Sequence, residues 1–183
     1  MVAALAAPLA AWASGSFRSN SSSFVSFRNE FVTFRYPAPW ATSVWQEQVP
    51  HFQPMVYLST QATHDPCRTS VSAGATSITC GFPLAKLDRG GVLVTWENKG
   101  FPGTSIARLP GASTRVDGRN AKVSVARPGA CRGVGADETM TVVIARPLPS
   151  NWTQVSACLR GPDLAAREAQ VRSLLASARF LTP

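Results

Sequence analysis

The sequence predicts an α+β fold in which an antiparallel β-sheet carries a C-terminal helix packed against it. Three observations support this prediction. A strand near residue 31 ends at a proline turn, two long strand segments follow each other between residues 138 and 160, and the last segment has helical periodicity. Because strands joined by short turns pair in the antiparallel sense, the sheet is expected to be antiparallel.

The first of these strands is Phe31–Tyr36, a run of aromatic and β-branched residues of the kind that fit a half-buried pleated surface. Alternation places Val32, Phe34 and Tyr36 on one face. Pro37 cannot donate a ladder hydrogen bond, so the strand is expected to end there. Trp40 is expected to fold back and act as an apolar plug, that is, to bury its large indole side chain.

A near copy of this strand precedes it, because Phe24–Arg28 repeats the pattern of residues 31–35 with Asn29 and Glu30 between them. Two similar segments separated by two residues predict a β-hairpin. Glutamate is not the glycine that such turns prefer, so the turn type stays open. A helix is the alternative, because the phenylalanines also recur at spacings of three and four, but the β-branched residues favour the hairpin.

The middle of the chain contains three further predicted strands, separated by turns rich in glycine and proline. They are Met55–Thr60, Val92–Glu97 and Ala121–Val125. Asp117 and Gly118, just before the third strand, favour the positive φ angles of a tight turn. Loops rich in glycine and proline are expected at 100–111 and 128–137.

The two longest predicted strands are Glu138–Arg146 and Trp152–Arg160, joined by residues 147–151. In the second strand the alternate residues from Thr153 to Leu159 share one face, so Cys158 faces the other way. A helix follows, with Asp163 as its N-cap. Its predicted apolar face consists of Leu164, Val171, Leu174, Leu175 and Ala178.

The cysteine count is even, and the cysteines are widely spaced at Cys67, Cys80, Cys131 and Cys158. Such a set favours two disulfides in an oxidising compartment over a zinc site, whose ligands usually come in close pairs. Four cysteines allow three pairings, of which we favour Cys67–Cys80 and Cys131–Cys158. The first pair closes a local loop, and hairpin pairing would place Cys158 near Met140, one loop away from Cys131.

The chain is expected to divide into an N-terminal segment, residues 1–23, and a single α/β domain, residues 24–183. The apolar run Val2–Ala13 ends like a signal-peptide cleavage site but is too short to span a bilayer and lacks a basic start. We therefore expect Met1 to lie inside a longer export signal or membrane anchor. The protein would then be extracytoplasmic, secreted or held near the membrane at the cell envelope, with a serine-rich linker before the domain.

The charge balance favours anionic partners. The formal net charge is +8, and the 18 basic residues comprise 15 arginines and 3 lysines. Nucleic acid, anionic lipid and acidic wall polymers are the classes that such a charge attracts. The arginines are scattered and do not alternate with aromatic residues, so specific nucleic-acid binding is not expected. This spacing favours a solvated, arginine-rich surface from a compositionally biased genome over a dedicated anion-binding surface.

The sequence contains no nucleophile elbow, zinc-protease helix or phosphate-binding glycine loop, so no enzymatic activity is expected. His51 and His64 are the only histidines, and nothing positions either as a base. The run His64-Asp65-Pro66-Cys67 is the one cluster of candidate metal ligands. Two disulfides explain the cysteines more simply, and neither a metal nor another cofactor is expected.

The best candidate for a binding surface is the glycine-rich segment Gly129–Glu138, which gathers Arg132, Asp137 and Glu138 beside a predicted disulfide. Arg132 could bind a carboxylate or phosphate group. Asp137 and Glu138 are adjacent and would face opposite sides of a strand, which argues against a paired-carboxylate mechanism. Structural turns have the same composition, and a structural turn is the favoured interpretation of this loop.

Three motifs in their order along the chain resemble a known family. They are Tyr36-Pro37-Ala38-Pro39-Trp40, Val116-Asp117-Gly118-Arg119-Asn120-Ala121 and Leu174-Leu175-Ala176-Ser177-Ala178-Arg179-Phe180. In these motifs the chain resembles the PsbP/Mog-like α/β sandwich, and it is similar to uncharacterised exported or lipid-anchored proteins of actinobacteria. The resemblance covers about residues 24–183 and implies an α/β/α sandwich, an antiparallel sheet flanked by helices. The four cysteines and the lack of a lipobox cysteine depart from it.

The resemblance also implies an adaptor or accessory subunit, because members of that superfamily share no catalytic motif. We therefore expect a non-enzymatic extracytoplasmic domain that binds a protein or an anionic component of the cell envelope. The alternative is a small secreted hydrolase or nuclease for an anionic substrate, with His51 or His64 as the base. Direct binding of anionic lipid is a third hypothesis.

Overall fold

A computed structural model describes residues 23–44, 52–100, 105–146 and 151–181 of the chain. The described residues form three antiparallel sheets and one α-helix, α1 (Leu164–Ser177). The strands are β1 (Phe24–Arg28), β2 (Val32–Pro37), β3 (Ala41–Ser43), β4 (Phe52–Ser59), β5 (Cys67–Ser72), β6 (Ala75–Cys80), β7 (Val92–Gly100), β8 (Ala112–Val116), β9 (Arg119–Ala126), β10 (Glu138–Ala145), β11 (Asn151–Leu159) and β12 (Arg179–Phe180).

The large sheet has seven strands in the order β3-β4-β7-β11-β10-β9-β8. Its interior strand β7, third in this order, is buried on both faces over Val92–Asn98. That run is almost continuously apolar at its start, which is typical of a strand covered on two sides. The sheet therefore needs a cover on each face, and the rest of the domain supplies the two covers.

The first face is covered by α1 and by a small sheet of order β1-β2-β12. Trp96 of β7 lies at the centre of this layer, fully buried, and its ring stacks on Phe34 of β2 with centroids 4.7 Å apart. Phe27 of β1 stacks on the same phenylalanine from the other side at 5.0 Å. The repeated hairpin thus contributes a column of aromatic rings that joins the two sheets.

The second face is covered, at the end where β7 begins, by irregular chain. Leu84 and Leu87 pack there with Leu93 of β7 and with Val134, which belongs to a short 3₁₀ turn. The Cys131–Cys158 disulfide ties that turn to β11. This covalent link keeps the irregular segment against the sheet, where it has no strand pairing to hold it.

The third sheet is a separate two-stranded hairpin, β5-β6, closed at its base by the Cys67–Cys80 disulfide. Its turn residues Ala73 and Gly74 both have positive φ angles, as a tight hairpin turn requires. A lone two-stranded hairpin is marginal in water, so the disulfide at its base is expected to be needed for its order. The structure thus forms the disulfide pairing that the sequence favoured.

The expectation of an α/β/α sandwich, an antiparallel sheet flanked by helices, is wrong. The described residues are mainly antiparallel β-structure and include a single α-helix. The C-terminal helix does pack on the sheet, but half of its layer is β-structure, and the opposite layer is irregular chain. One physical reason is that residues 128–137 contain one proline and three glycines, which disfavour a helix.

The individual strand predictions agree better with the structure. Phe24–Arg28 pairs with β2 as a hairpin, so the helical alternative is excluded. The side-chain oxygen of Asn29 accepts hydrogen bonds from the backbone N–H groups of Phe31 and Val32, both 2.9 Å, which explains a turn without glycine. In the long hairpin, Cys158 lies opposite Thr139, one residue from the predicted neighbour.

The helix begins and ends close to its predicted bounds, and its buried residues are Val171, Leu174 and Leu175. Asp163 occupies the N-cap position, but its side chain forms no capping hydrogen bond. Trp40 is buried, as predicted for an apolar plug. Among the described residues, no helix has the length and apolar character needed to cross a membrane.

Loss of the aromatic column should destabilise the protein strongly. We expect Phe34→Ala to lower the free energy of unfolding by about 3–5 kcal/mol, because it removes a fully buried ring and leaves a cavity. The matched control is Phe24→Ala on the neighbouring strand, where the side chain is 49% exposed and the expected cost is below about 1 kcal/mol. Urea unfolding measures both values, and equal costs would contradict the proposed role of the column.

Candidate anion-binding site

Two arginines face each other at one end of the large sheet. Arg119 begins β9, and Arg146 directly follows β10. Ile144 pairs with Ala121 in the antiparallel register of these strands. Continuing that register by two residues places Arg146 opposite Arg119 on the same face, where like charges repel each other.

Each guanidinium of this pair is stacked on an aromatic ring. The Arg119 Cζ lies 4.4 Å from the centroid of Phe180, and the Arg146 Cζ lies 5.2 Å from the centroid of Phe31. A guanidinium stacked on a ring keeps its N–H groups in its own plane, where they point outward and can bind an anion at the edge of the guanidinium. The small sheet thus holds both arginines in place, because both rings belong to it or to its connections.

Arg115, on the edge strand β8, completes what we call the arginine cluster: Arg115, Arg119 and Arg146. The three residues line an open cleft of about 400 Å³ at the turn formed by Asp117 and Gly118. Arg115 donates a hydrogen bond of 2.8 Å to the carbonyl oxygen of Gly118, which fixes its direction.

The electrostatics of the cluster are unbalanced. Burial lowers the pKa of the Arg146 guanidinium, and the nearby charge of Arg119 lowers it further. Within the part of the chain that the structure describes, none of the three arginines has a carboxylate at ion-pair distance. Asp117 is close, but its carboxylate accepts the backbone N–H of Phe180 at 2.8 Å and faces Arg179 at 3.8 Å.

Such an arrangement can bind a phosphate, sulfate or carboxylate group. Guanidinium groups match the geometry of these anions with paired N–H donors, and two adjacent guanidiniums can hold one anion from two sides. The local sequence does not predict this site. Arg119 and Arg146 are 27 positions apart, and only strand register brings them together, so no local motif marks them.

The predicted binding loop does not form one site. Arg132 is exposed on the 3₁₀ turn. Asp137 accepts the backbone N–H of Gly161 at 2.7 Å, a contact that joins the loop to the end of β11. Glu138 is fully buried and accepts a hydrogen bond of 2.7 Å from Arg127. Both carboxylates therefore serve structural contacts.

The histidines of the hydrolase alternative are placed as follows. His51 lies outside the described residues. His64 is exposed and lines a cleft of about 240 Å³ together with Tyr57 and Asp65. Asp65 accepts the backbone N–H of Cys67 at 2.9 Å. No hydrogen bond joins the His64 imidazole to a hydroxyl group within the described ranges.

The described ranges contain no cluster of three or more residues that could hold a metal ion. Cys67 is bonded to Cys80, so the run from His64 to Cys67 has no free thiolate to offer.

The buried tyrosine beside His64 gives the domain an alkaline stability limit. Burial raises the pKa of Tyr57 to about 12, with smaller contributions from Glu97 and Asp65. The native state therefore keeps a proton that the unfolded chain releases near pH 10. The free energy of unfolding should therefore fall by roughly 2–3 kcal/mol as the pH rises from 10 to 12.

Chemical unfolding at several pH values measures this loss of stability, and the Tyr57→Phe variant should lose correspondingly less. An equal loss in both proteins would contradict the assignment.

The guanidinium groups of Arg119 and Arg146 should repel each other in the ligand-free protein. A double-mutant cycle of Arg119→Gln and Arg146→Gln should give an unfavourable coupling of about 0.5 kcal/mol in low salt. Raising the ionic strength to about 0.5 M should remove most of it, because salt screens exposed charges. A favourable coupling, or one that is independent of salt, would show that the two guanidiniums do not oppose each other.

Comparison of the chain with protein-family models and with curated proteins finds no match.

Proposed function

We propose that this protein is a non-enzymatic, extracytoplasmic binding module that holds an anionic group of a protein or of a cell-envelope component at the arginine cluster. The observation that carries the proposal is the opposed pair Arg119 and Arg146, stacked on phenylalanine rings and without a compensating carboxylate among the described residues. Keeping like charges together costs free energy, and a bound anion would recover it.

The disulfides support the extracytoplasmic part of this proposal. Two cysteine pairs at bonding distance are consistent with an oxidising environment outside the cytoplasm. The finer assignment, secretion or attachment to the envelope, rests on the apolar start of the sequence and belongs to the proposal. Phosphate and carboxylate groups are the anionic chemistry that an envelope polymer or an acidic protein surface offers to arginine.

The hydrolase or nuclease alternative has weaker support. It would need a base, a nucleophile or activated water, and an aligned carboxylate in one cleft. Asp65 is engaged by the backbone, and the other cleft residues include Ser43, whose hydroxyl accepts a hydrogen bond from Thr63 at 3.1 Å. Asp65 and Ser43 therefore each have another partner, and within the described cleft no hydrogen bond joins either of them to His64.

Binding of inorganic phosphate tests the proposal directly. We expect calorimetry to detect saturable binding in low salt, and Arg119→Gln or Arg146→Gln to weaken it about tenfold, since each removes a charge-assisted contact. The matched control is Arg68→Gln on the exposed strand β5, which should bind phosphate like the original protein.

A general attraction of anions by the net charge would behave differently. In that case Arg68→Gln would weaken binding as much as the cluster variants, and the proposed site would be refuted. Absence of saturable phosphate binding in low salt would refute it as well.

A further inference from the structure

We propose that the arginine cluster and an adjoining apolar cleft together bind a single-chain amphiphile with an anionic head group. This inference rests on the proposed function, because the head group would occupy the same arginine cluster. It adds the class of ligand, a molecule in which one anionic group is attached to one apolar chain.

The apolar cleft lies between α1 and the strands β8, β9 and β10, and has a volume of about 280 Å³. Its floor consists of side chains from the sheet and the helix, namely Val116, Val123, Met140, Val142 and Leu175. Its rim carries Thr114, Arg115, Asp117 and Arg172, and Ala176 borders it from the helix. An apolar floor with a cationic rim is the pattern that a chain with an anionic end complements.

The two clefts adjoin each other. Arg115 lines both of them. Val116, on the floor of the apolar cleft, pairs with Arg119 across the β8–β9 ladder. Directly paired residues share one face of a sheet, so the Arg119 side chain leaves the sheet beside the cleft floor. A ligand lying along β8 could therefore contact the floor and the arginines together.

The charges around the cleft favour an anion. Two carboxylates are near it, and each already has a cation: Asp117 faces Arg179 at 3.8 Å, and Glu168 pairs with Arg172 at 3.2 Å. The arginine cluster remains uncompensated among the described residues. A neutral head group would not compensate the positive charge of the arginine cluster. A free inorganic anion would compensate it but would make no contact with the apolar floor.

The size of the cleft restricts the ligand to one chain. Clefts that bind drug-sized molecules measure about 300–1,000 Å³, and this one is at the lower limit. Most of its floor is already packed, since Met140 and Val142 are almost fully buried by their neighbours. One extended chain fits such a narrow space better than the two chains of a bilayer phospholipid.

Calorimetry of the full chain with three probes tests the inference. The probes are decyl phosphate below its micelle concentration, inorganic phosphate, and decyl maltoside as the same chain with a neutral head. We expect decyl phosphate to bind at least about tenfold more tightly than inorganic phosphate, because each buried methylene adds to the affinity. Decyl maltoside should bind weakly or not at all.

Two helix variants distinguish the contribution of the ligand's alkyl chain to binding from that of its head group. Ala176→Phe should fill the cleft and abolish the advantage of decyl phosphate, while the binding of inorganic phosphate stays unchanged. Ala166→Phe, on an exposed part of the helix that does not border the cleft, is the matched control and should change neither. Arg119→Gln should weaken both phosphates.

The failures are distinguishable. If inorganic phosphate binds through the arginines and decyl phosphate binds no better, the amphiphile is refuted and the proposed function stands. If decyl phosphate and decyl maltoside bind equally and Arg119→Gln has no effect, the anionic head is refuted. If neither phosphate shows saturable binding, the proposed function fails and this inference fails with it.

Discussion

Burial of the interior strand β7 on both faces is the constraint on which the rest of the structure depends. Val92–Asn98 of β7 is buried, and Trp96 within it is fully buried. Each face must therefore be covered, or the apolar surface and the indole would be left in water. One cover is regular, formed by α1 and the small sheet, and the other is irregular chain held by the Cys131–Cys158 disulfide.

The regular cover also creates the candidate site. β12 pairs with β2, and this pairing places the ring of Phe180 against the Arg119 guanidinium at one end of the large sheet. The loop before β2 brings Phe31 under Arg146 in the same way. The arginines thus stand where the two sheets meet, on rings that are themselves packed against the core. Packing forces fix the guanidiniums, although Coulomb repulsion acts to separate them.

The overall charge and the local cluster have different roles. A net charge of +8 spread over the chain attracts anions of many kinds from a distance and selects none of them. Selection needs donors at defined positions beside a surface of defined polarity. The arginine cluster provides the donors, and the adjoining cleft provides an apolar surface on one side only. An amphiphilic anion is the ligand that uses both.

Local patterns in the sequence predicted most of the strands, the C-terminal helix and the favoured disulfide pairing, because alternation, turn residues and loop closure act over short distances. The layer arrangement could not be predicted this way. Residues 82–91 cover the second face because the sheet leaves that face apolar, and their own sequence does not show it. The same holds for the site: Glu138 looked like a surface acid and is fully buried, whereas Arg119 and Arg146 become neighbours only through the register of β9 and β10. The sequence by itself determined which segments form strands and helix, and the tertiary structure decided which charges meet, because pairing across strands joins residues that are distant in the chain.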